Sequence, residues 1–250
     1  QRTGPYKTTN MQSLQGKTAL ITGAGKGLGK SMALALAAEG VHLGLIARTE
    51  ADLVLVKEAA LKINPGIKVA LHTADVSEYE QVQTAIKSIT DELQAVNILI
   101  NNAGILKVGS FKDTPIKEWE QVIKTNVFGA YYTIMETLPH LLAQNSGDVI
   151  NIGSTAGLKG NANLSAYGAS KAAVNNLSEA LMQELRKSNI RVSTVNPSTI
   201  ATEMTMNANF TDGNEEKVLQ PEDLAQLVVD HLKLPQRALV KDFSLWSTNP

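Results

Sequence analysis

The chain has 250 residues, with 23 basic side chains against 24 acidic ones, a net charge of −1 and 43% hydrophobic residues. That balance excludes a broad electrostatic grip on nucleic acid, and no apolar run reaches the roughly 18 residues needed to span a membrane. Cysteine is absent, which removes disulfides and thiolate chemistry, and His42, His72, His140 and His231 lie too far apart to form a metal-ligand motif.

Residues 1–10 are polar and lack apolar periodicity, so they are read as an expression remnant or a disordered arm ahead of a start at Met11. From residue 11 onward, short apolar runs alternate with longer amphipathic ones. Strands are expected at Thr18–Thr22, Val41–Ala47, Lys68–His72, Ile98–Asn101, Val149–Ile152, Arg191–Val195 and Ala238–Val240. Helices are expected near Leu28–Glu39, Asp52–Ile63, Glu78–Leu93, Glu118–Gln144, Ala169–Arg186 and Pro221–Leu232. Ser77 is the candidate N-cap of the third helix, and Val174, Leu177, Leu181 and Leu185 form a core-facing stripe on the fifth. The strand runs are nearly continuous in apolar residues, as strands covered on both faces require. The alternation predicts one α/β domain over 11–250, a Rossmann fold with a doubly wound, mostly parallel sheet of about seven strands and helices on both faces. The charge, the lack of a membrane span and the absence of cysteine suit a cytoplasmic protein.

Three groups of residues carry chemistry. The first strand runs into Thr22-Gly23-Ala24-Gly25-Lys26-Gly27-Leu28-Gly29 and then a helix. Glycine lets a phosphate approach the backbone closely, and a helix N-terminus offers free N–H groups and a positive dipole end. The second strand ends at Ala47-Arg48. An acidic residue at Ala47 would bind a ribose 2′-hydroxyl, whereas Arg48 with Lys26 suits a 2′-phosphate. Two cations with no carboxylate favour NADP(H) over NAD(H). In the third group, Tyr167 and Lys171 stand four apart, on one face if helical. A nearby ammonium lowers a phenol's pKa, which suits proton transfer to or from a substrate oxygen. Ser154, just past a strand, can hydrogen-bond a carbonyl.

The order and spacing of these features resemble the short-chain dehydrogenases/reductases over nearly all of Lys17 to Leu245. The resemblance implies a catalytic set of Asn126, Ser154, Tyr167 and Lys171. Tyr167 would be the general acid in reduction and the general base in oxidation. Lys171 would bind the nicotinamide ribose and lower the Tyr167 pKa, Ser154 would orient the carbonyl, and Asn126 would support a water-linked relay behind Lys171. It also places Thr22, Gly23, Lys26, Gly27, Leu28 and Gly29 at the pyrophosphate, with Asp75 and Val76 by the adenine. Asn102, Ala103 and Gly104 would line the adenosine and nicotinamide-ribose side, with Pro197, Ile200 and Thr202 completing the cofactor site. Ser198 departs from the glycine usual after that proline. The family's mobile substrate lid matches residues 203–220, where Met204 and Met206 would join Ser154 and Tyr167 in the substrate pocket.

The chain looks most like 3-oxoacyl-[acyl-carrier-protein] reductases and related carbonyl reductases. The expected activity is reduction of a small-molecule ketone or aldehyde by NADPH. An acyl-carrier protein is a disfavoured partner, because Asn145 and Ser188 stand where carrier-dependent members often carry basic residues. Two alternatives stay open: an alcohol or sugar dehydrogenase running in oxidation, and a non-enzymatic NADP(H) sensor. Family habit implies a homotetramer or homodimer through the long helices. The apolar Phe243-Ser244-Leu245-Trp246 is expected to pack on the core or on a partner subunit.

Overall fold

The computed structural model describes residues 11–248; the expectation for residues 1–10 lies outside them. Seven strands form one sheet: β1 (Thr18–Thr22), β2 (His42–Ala47), β3 (Val69–Thr73), β4 (Ile98–Asn101), β5 (Gly147–Ile152), β6 (Ile190–Pro197) and β7 (Asp242–Leu245). Their order is β3-β2-β1-β4-β5-β6-β7, and every pairing is parallel. The expected fold is therefore present, with the sheet parallel throughout. The order reverses between β1 and β4, and a crevice opens there beyond the carboxyl ends of the strands.

Helices cover both faces. They are α1 (Gly27–Ala38), α2 (Glu50–Ile63), α3 (Tyr79–Leu93), α4 (Ile116–Ile123), α5 (Gly129–Gln144), α6 (Ser165–Leu185), α7 (Glu203–Asn207) and α8 (Pro221–Leu232). One core joins Met32 and Leu36 of α1, Leu53 of α2 and Val228 of α8 to the sheet residues Ile21, Leu43 and Ile100. The other joins Ile86 and Ile89 of α3, Ile134 of α5 and Met182 of α6 to Leu20, Leu99 and Val149. Successive strand residues point to opposite faces, so β1 to β6 each feed both cores, while β7 packs only Phe243 and Leu245 against the first. No helix among the described residues is long and apolar enough to cross a membrane.

Several elements differ from expectation for identifiable reasons. The run Ala238–Val240 is not a strand: Ala238 gives its carbonyl to Arg191 and Val240 gives its own to Ser193, so pairing with β6 starts only at Asp242. Ser77 does not cap α3. Its N–H and hydroxyl both donate to Asp75, and the helix begins after Glu78 without a side-chain cap. The long helix expected at Glu118–Gln144 starts earlier, at Ile116, and a π-helical turn, Lys124–Phe128, separates α4 from α5. On α6, Val174 and Leu185 are buried as expected, but Ser178 and Met182 share that face, while Leu177 and Leu181 are half-buried. Trp246 is 62% exposed and does not pack on the core. Phe128 at the end of the π-helical turn and Tyr131, Met135 and Leu142 along α5 are also exposed.

At the amino-terminal ends of β5 and β6, Arg191 and Asp148 are paired and buried, with Nε donating to Oδ1 over 2.6 Å. The same guanidinium donates to the carbonyls of Leu232, Leu234 and Ala238. One side chain on β6 thus ties down the turn between α8 and β7.

Candidate active site

The crevice at the switch point is an open cleft of about 640 Å³. The glycine turn forms one wall. Gly23 and Gly27 adopt φ values of +63° and +50°, which disfavour side chains. A Cβ at Gly23 would lie 2.9 Å from the Ala103 Cα, and one at Gly29 would run into the Gly23 carbonyl. Thr22 and Gly29 build this wall from behind and do not line the cleft. The Thr22 hydroxyl accepts from the N–H groups of Asn102 and Ala103, each at 3.1 Å. Asn102 in turn donates its amide to the carbonyls of Thr22 and Gly23. The N-terminus of α1 has no side-chain cap, so its first N–H groups remain available to an anion in the cleft.

At one end of the cleft stand Lys26 and Arg48. Arg48 is exposed and forms no ion pair among the described residues. Lys26 lies 3.7 Å from Asp52 and 3.7 Å from Glu203. The expectation of two cations with no carboxylate is thus corrected. The helix expected from Asp52 begins at Glu50, which places Asp52 in its first turn, leaning over Gly25 and into the cleft. A helix start two residues earlier brings in a carboxylate that the end of β2 gave no sign of.

Asp75 and Val76 line the same end, with Asp75 Oδ1 held by both Ser77 donors. Ala103 and Gly104 continue the wall toward Tyr167, Lys171 and Ser154. Pro197, Ile200 and Thr202 close the opposite side. Ser198 adopts no left-handed backbone, so its replacement of glycine costs no strain; its N–H donates to the Leu245 carbonyl over 2.8 Å. Met204 reaches the cleft. Met206 does not line it, and its sulfur lies beside Gly213. The cleft also takes in Leu106 and Thr125, and Glu203 and Asn207 from the segment expected to be the lid.

Because α6 begins at Ser165, Tyr167 and Lys171 both fall on regular helix and share one face. Lys171 is 5% exposed, and its ammonium donates to the Ile152 carbonyl over 2.7 Å. Burial lowers its pKa to about 8. Tyr167 is half-buried in the cleft wall; the desolvation of its phenol raises its pKa, and the Ser154 hydroxyl beside it opposes the rise. The Lys171 ammonium sits 5.7 Å from the Tyr167 ring centroid and is committed to a carbonyl. The expected lowering of the phenol pKa by Lys171 is therefore absent here; desolvation dominates. Ser154 Oγ accepts from the Ala156 N–H over 3.1 Å, leaving its own proton free to point into the cleft.

Asn126 lies in the π-helical turn and is 3% exposed, behind the cleft. Its carboxamide accepts from Ile105 N–H and donates to the Ile105 carbonyl and the Ser170 hydroxyl. It thereby fixes the chain leaving β4 against α6. π-Turns often mark functional positions, because the extra residue re-aims a side chain.

A glycine-lined, anion-ready cleft ending at a half-buried tyrosine beside a buried lysine defines a dinucleotide-dependent oxidoreductase. The chain belongs to the short chain dehydrogenase family, whose profile matches residues 17–213. It is 32% identical over 237 residues to an uncharacterized oxidoreductase of Staphylococcus saprophyticus, covering 94% of this chain and 99% of that one. Among solved structures it resembles levodione reductase, with a TM-score of 0.86 and 27% identity over 93% of this chain and 96% of that one. It also resembles an alcohol dehydrogenase from the archaeon Thermococcus sibiricus complexed with 5-hydroxy-NADP, with a TM-score of 0.87 and 26% identity over 94% and 97%.

Proposed function

We propose that the chain is an NADPH-dependent reductase that transfers hydride to a ketone or aldehyde carbonyl, with Tyr167 as the proton donor. The observation that carries this reading is the convergence of Ser154, Tyr167 and Lys171 in the cleft that the glycine turn opens. Lys26 and Arg48 at its other end suit a 2′-phosphate. When bound, the nicotinamide supplies the hydride. The protein does the rest. Ser154 donates to the carbonyl oxygen and orients it, and Tyr167 passes its proton to that oxygen as negative charge develops there. Lys171, anchored on the Ile152 carbonyl, would hold the ribose. The phenol, its pKa raised from an ordinary value that already lies well above neutrality, is protonated at neutral pH, the state a proton donor requires. The name of levodione reductase agrees with the direction of this reading, and the 5-hydroxy-NADP bound by the second relative agrees with its cofactor, although that relative is an alcohol dehydrogenase.

Oxidation of an alcohol is the second reading. Asp52, beside Lys26, favours it by weakening the welcome for a phosphate dianion. The deciding experiment is oxidation of NADPH, with NADH alongside, over a panel of ketones, aldehydes and 3-oxoacyl thioesters. Turnover with NADPH supports the reductase, and its rank order tells small carbonyls from acyl chains. Silence across the panel despite NADPH binding removes the proposal.

Two further outcomes are expected. Arg48→Asp should shift the kcat/KM ratio toward NADH by about 10-fold or more, because a charge-assisted phosphate contact is exchanged for repulsion. An unchanged ratio would show that Arg48 does not read the phosphate. The kcat/KM for reduction, which reports the free enzyme, should fall as pH rises through about 8, where Lys171 loses its charge. The Tyr167 pKa is raised and so cannot cause that limb. Lys171→Arg, charged throughout, should abolish the limb in whatever activity it keeps. A wild-type profile flat through about pH 10 would contradict this assignment.

A further inference from the structure

The end of β5 carries the groups on which the proposed chemistry depends, and what holds that end in place is not evident from any motif. Ile152 supplies the carbonyl for Lys171, and Ser154 supplies the hydroxyl. Between them, the Gly153 N–H donates to the Val195 carbonyl of β6 over 2.7 Å, the last backbone rung of the pair. The next N–H, on Ser154, has no backbone partner. It donates to Oδ1 of Asn196 over 3.0 Å. Asn196 is 2% exposed, on β6 directly after Val195. A side chain thus extends the ladder one residue beyond the backbone, to the residue that faces the substrate.

Gly153 makes room for this. A Cβ there would run into Asn196 Oδ1 and would come within 2.9 Å of Asn175 Oδ1 and 3.0 Å of Thr194 Cγ2. Gly153 has no left-handed φ, so its backbone conformation does not demand glycine. The space does.

We propose that Asn196 is the positioning residue for Ser154, and that Gly153 is its steric partner. Asn196 touches neither substrate nor cofactor. It sets the backbone from which the Ser154 hydroxyl is aimed, so that the hydroxyl meets the carbonyl oxygen without first having to be ordered. The functional consequence rests on the carbonyl-reductase reading above; the positioning itself does not.

The test combines hydrogen exchange with kinetics. In Asn196→Ala, the Ser154 amide should exchange at least about tenfold faster by mass spectrometry, while amides in the centre of β5 keep their protection. The kcat for the best carbonyl of the panel should fall about tenfold or more, with the NADPH Kd unchanged, because misaiming affects the reacting geometry rather than cofactor binding. In a Ser154→Ala background the same substitution should cost little further, since its target is gone. A merely structural asparagine would give additive losses. Gly153→Ala, which drives the carboxamide away, should reproduce the local exchange increase. Asn196→Asp, which keeps an acceptor oxygen, should preserve the Ser154 protection even if Asn196→Ala does not fold. Unchanged Ser154 exchange in folded Asn196→Ala or Gly153→Ala overturns the inference, as does additivity with Ser154→Ala. If instead Ser154→Ala leaves kcat intact, the carbonyl-reductase role of Ser154 fails, and the exchange data still decide the positioning.

Discussion

Tyr167→Phe is expected to leave NADPH binding intact and to lower carbonyl reduction about 10²–10⁴-fold, the usual contribution of a positioned proton donor. The substitution removes one oxygen and keeps the ring, so the packing of α6 on the cleft survives. Lys171 keeps its bond to the Ile152 carbonyl and its place beside the ring. Ser154 keeps the Ala156 N–H on its oxygen and can still grip a substrate carbonyl. What is lost is the proton that the developing alkoxide must acquire. Fluorescence titration with NADPH and single-turnover oxidation of the bound cofactor separate the two effects. Near-normal turnover in a variant that binds NADPH would show that another group delivers the proton.

The largest stability effect is expected at the opposite end of the strands. Arg191→Met should destabilise the fold by about 3–5 kcal/mol, the range for breaking one side of a buried ion pair. Asp148 would be left buried at the start of β5 without its partner, and burial already raises its pKa while Arg191 opposes the rise. Three carbonyls, those of Leu232, Leu234 and Ala238, would lose a donor in the same step. Replacing both partners with apolar residues of similar volume should cost less than replacing Arg191 alone, because no uncompensated charge remains. Urea unfolding of the single and double variants measures this. A single variant within about 1 kcal/mol of wild type would show that the network contributes little.

The sequence was legible wherever local pattern and tertiary demand coincide. The strands of the sheet's centre announce themselves as unbroken apolar runs because both of their faces are buried. The glycine turn announces itself because only glycine can occupy its backbone and its close approach to Ala103. Legibility failed where one element borrows from another. Ala238–Val240 has a strand's composition, but its carbonyls are claimed by side chains of β6. Asp52 reaches the cofactor end of the cleft only because α2 begins two residues before its apolar pattern does. No local pattern marks Asn196, since the N–H it satisfies lies 42 residues away in sequence. The raised Tyr167 pKa was invisible for the same reason: a four-residue spacing puts the lysine nearby, but only three-dimensional burial decides which influence on the phenol prevails.

The strand order also constrains when the site can come into being during synthesis. β1 lies between β2 and β4, and its partner Ile98 in β4 emerges 79 residues after Ala19. Chain closure over such distances is slow compared with helix formation, so the sheet cannot complete itself as it leaves the ribosome. The nucleotide wall must wait for Asn102 and Ala103 to reach Thr22. Ser154 must wait longer, for Asn196, and β6 itself is secured only when the Leu232 to Ala238 turn closes on Arg191. A nascent chain of this protein therefore holds no finished cleft until the turn ahead of β7 has been made, because the contacts that fix a half-formed cleft come from the strands synthesised after it.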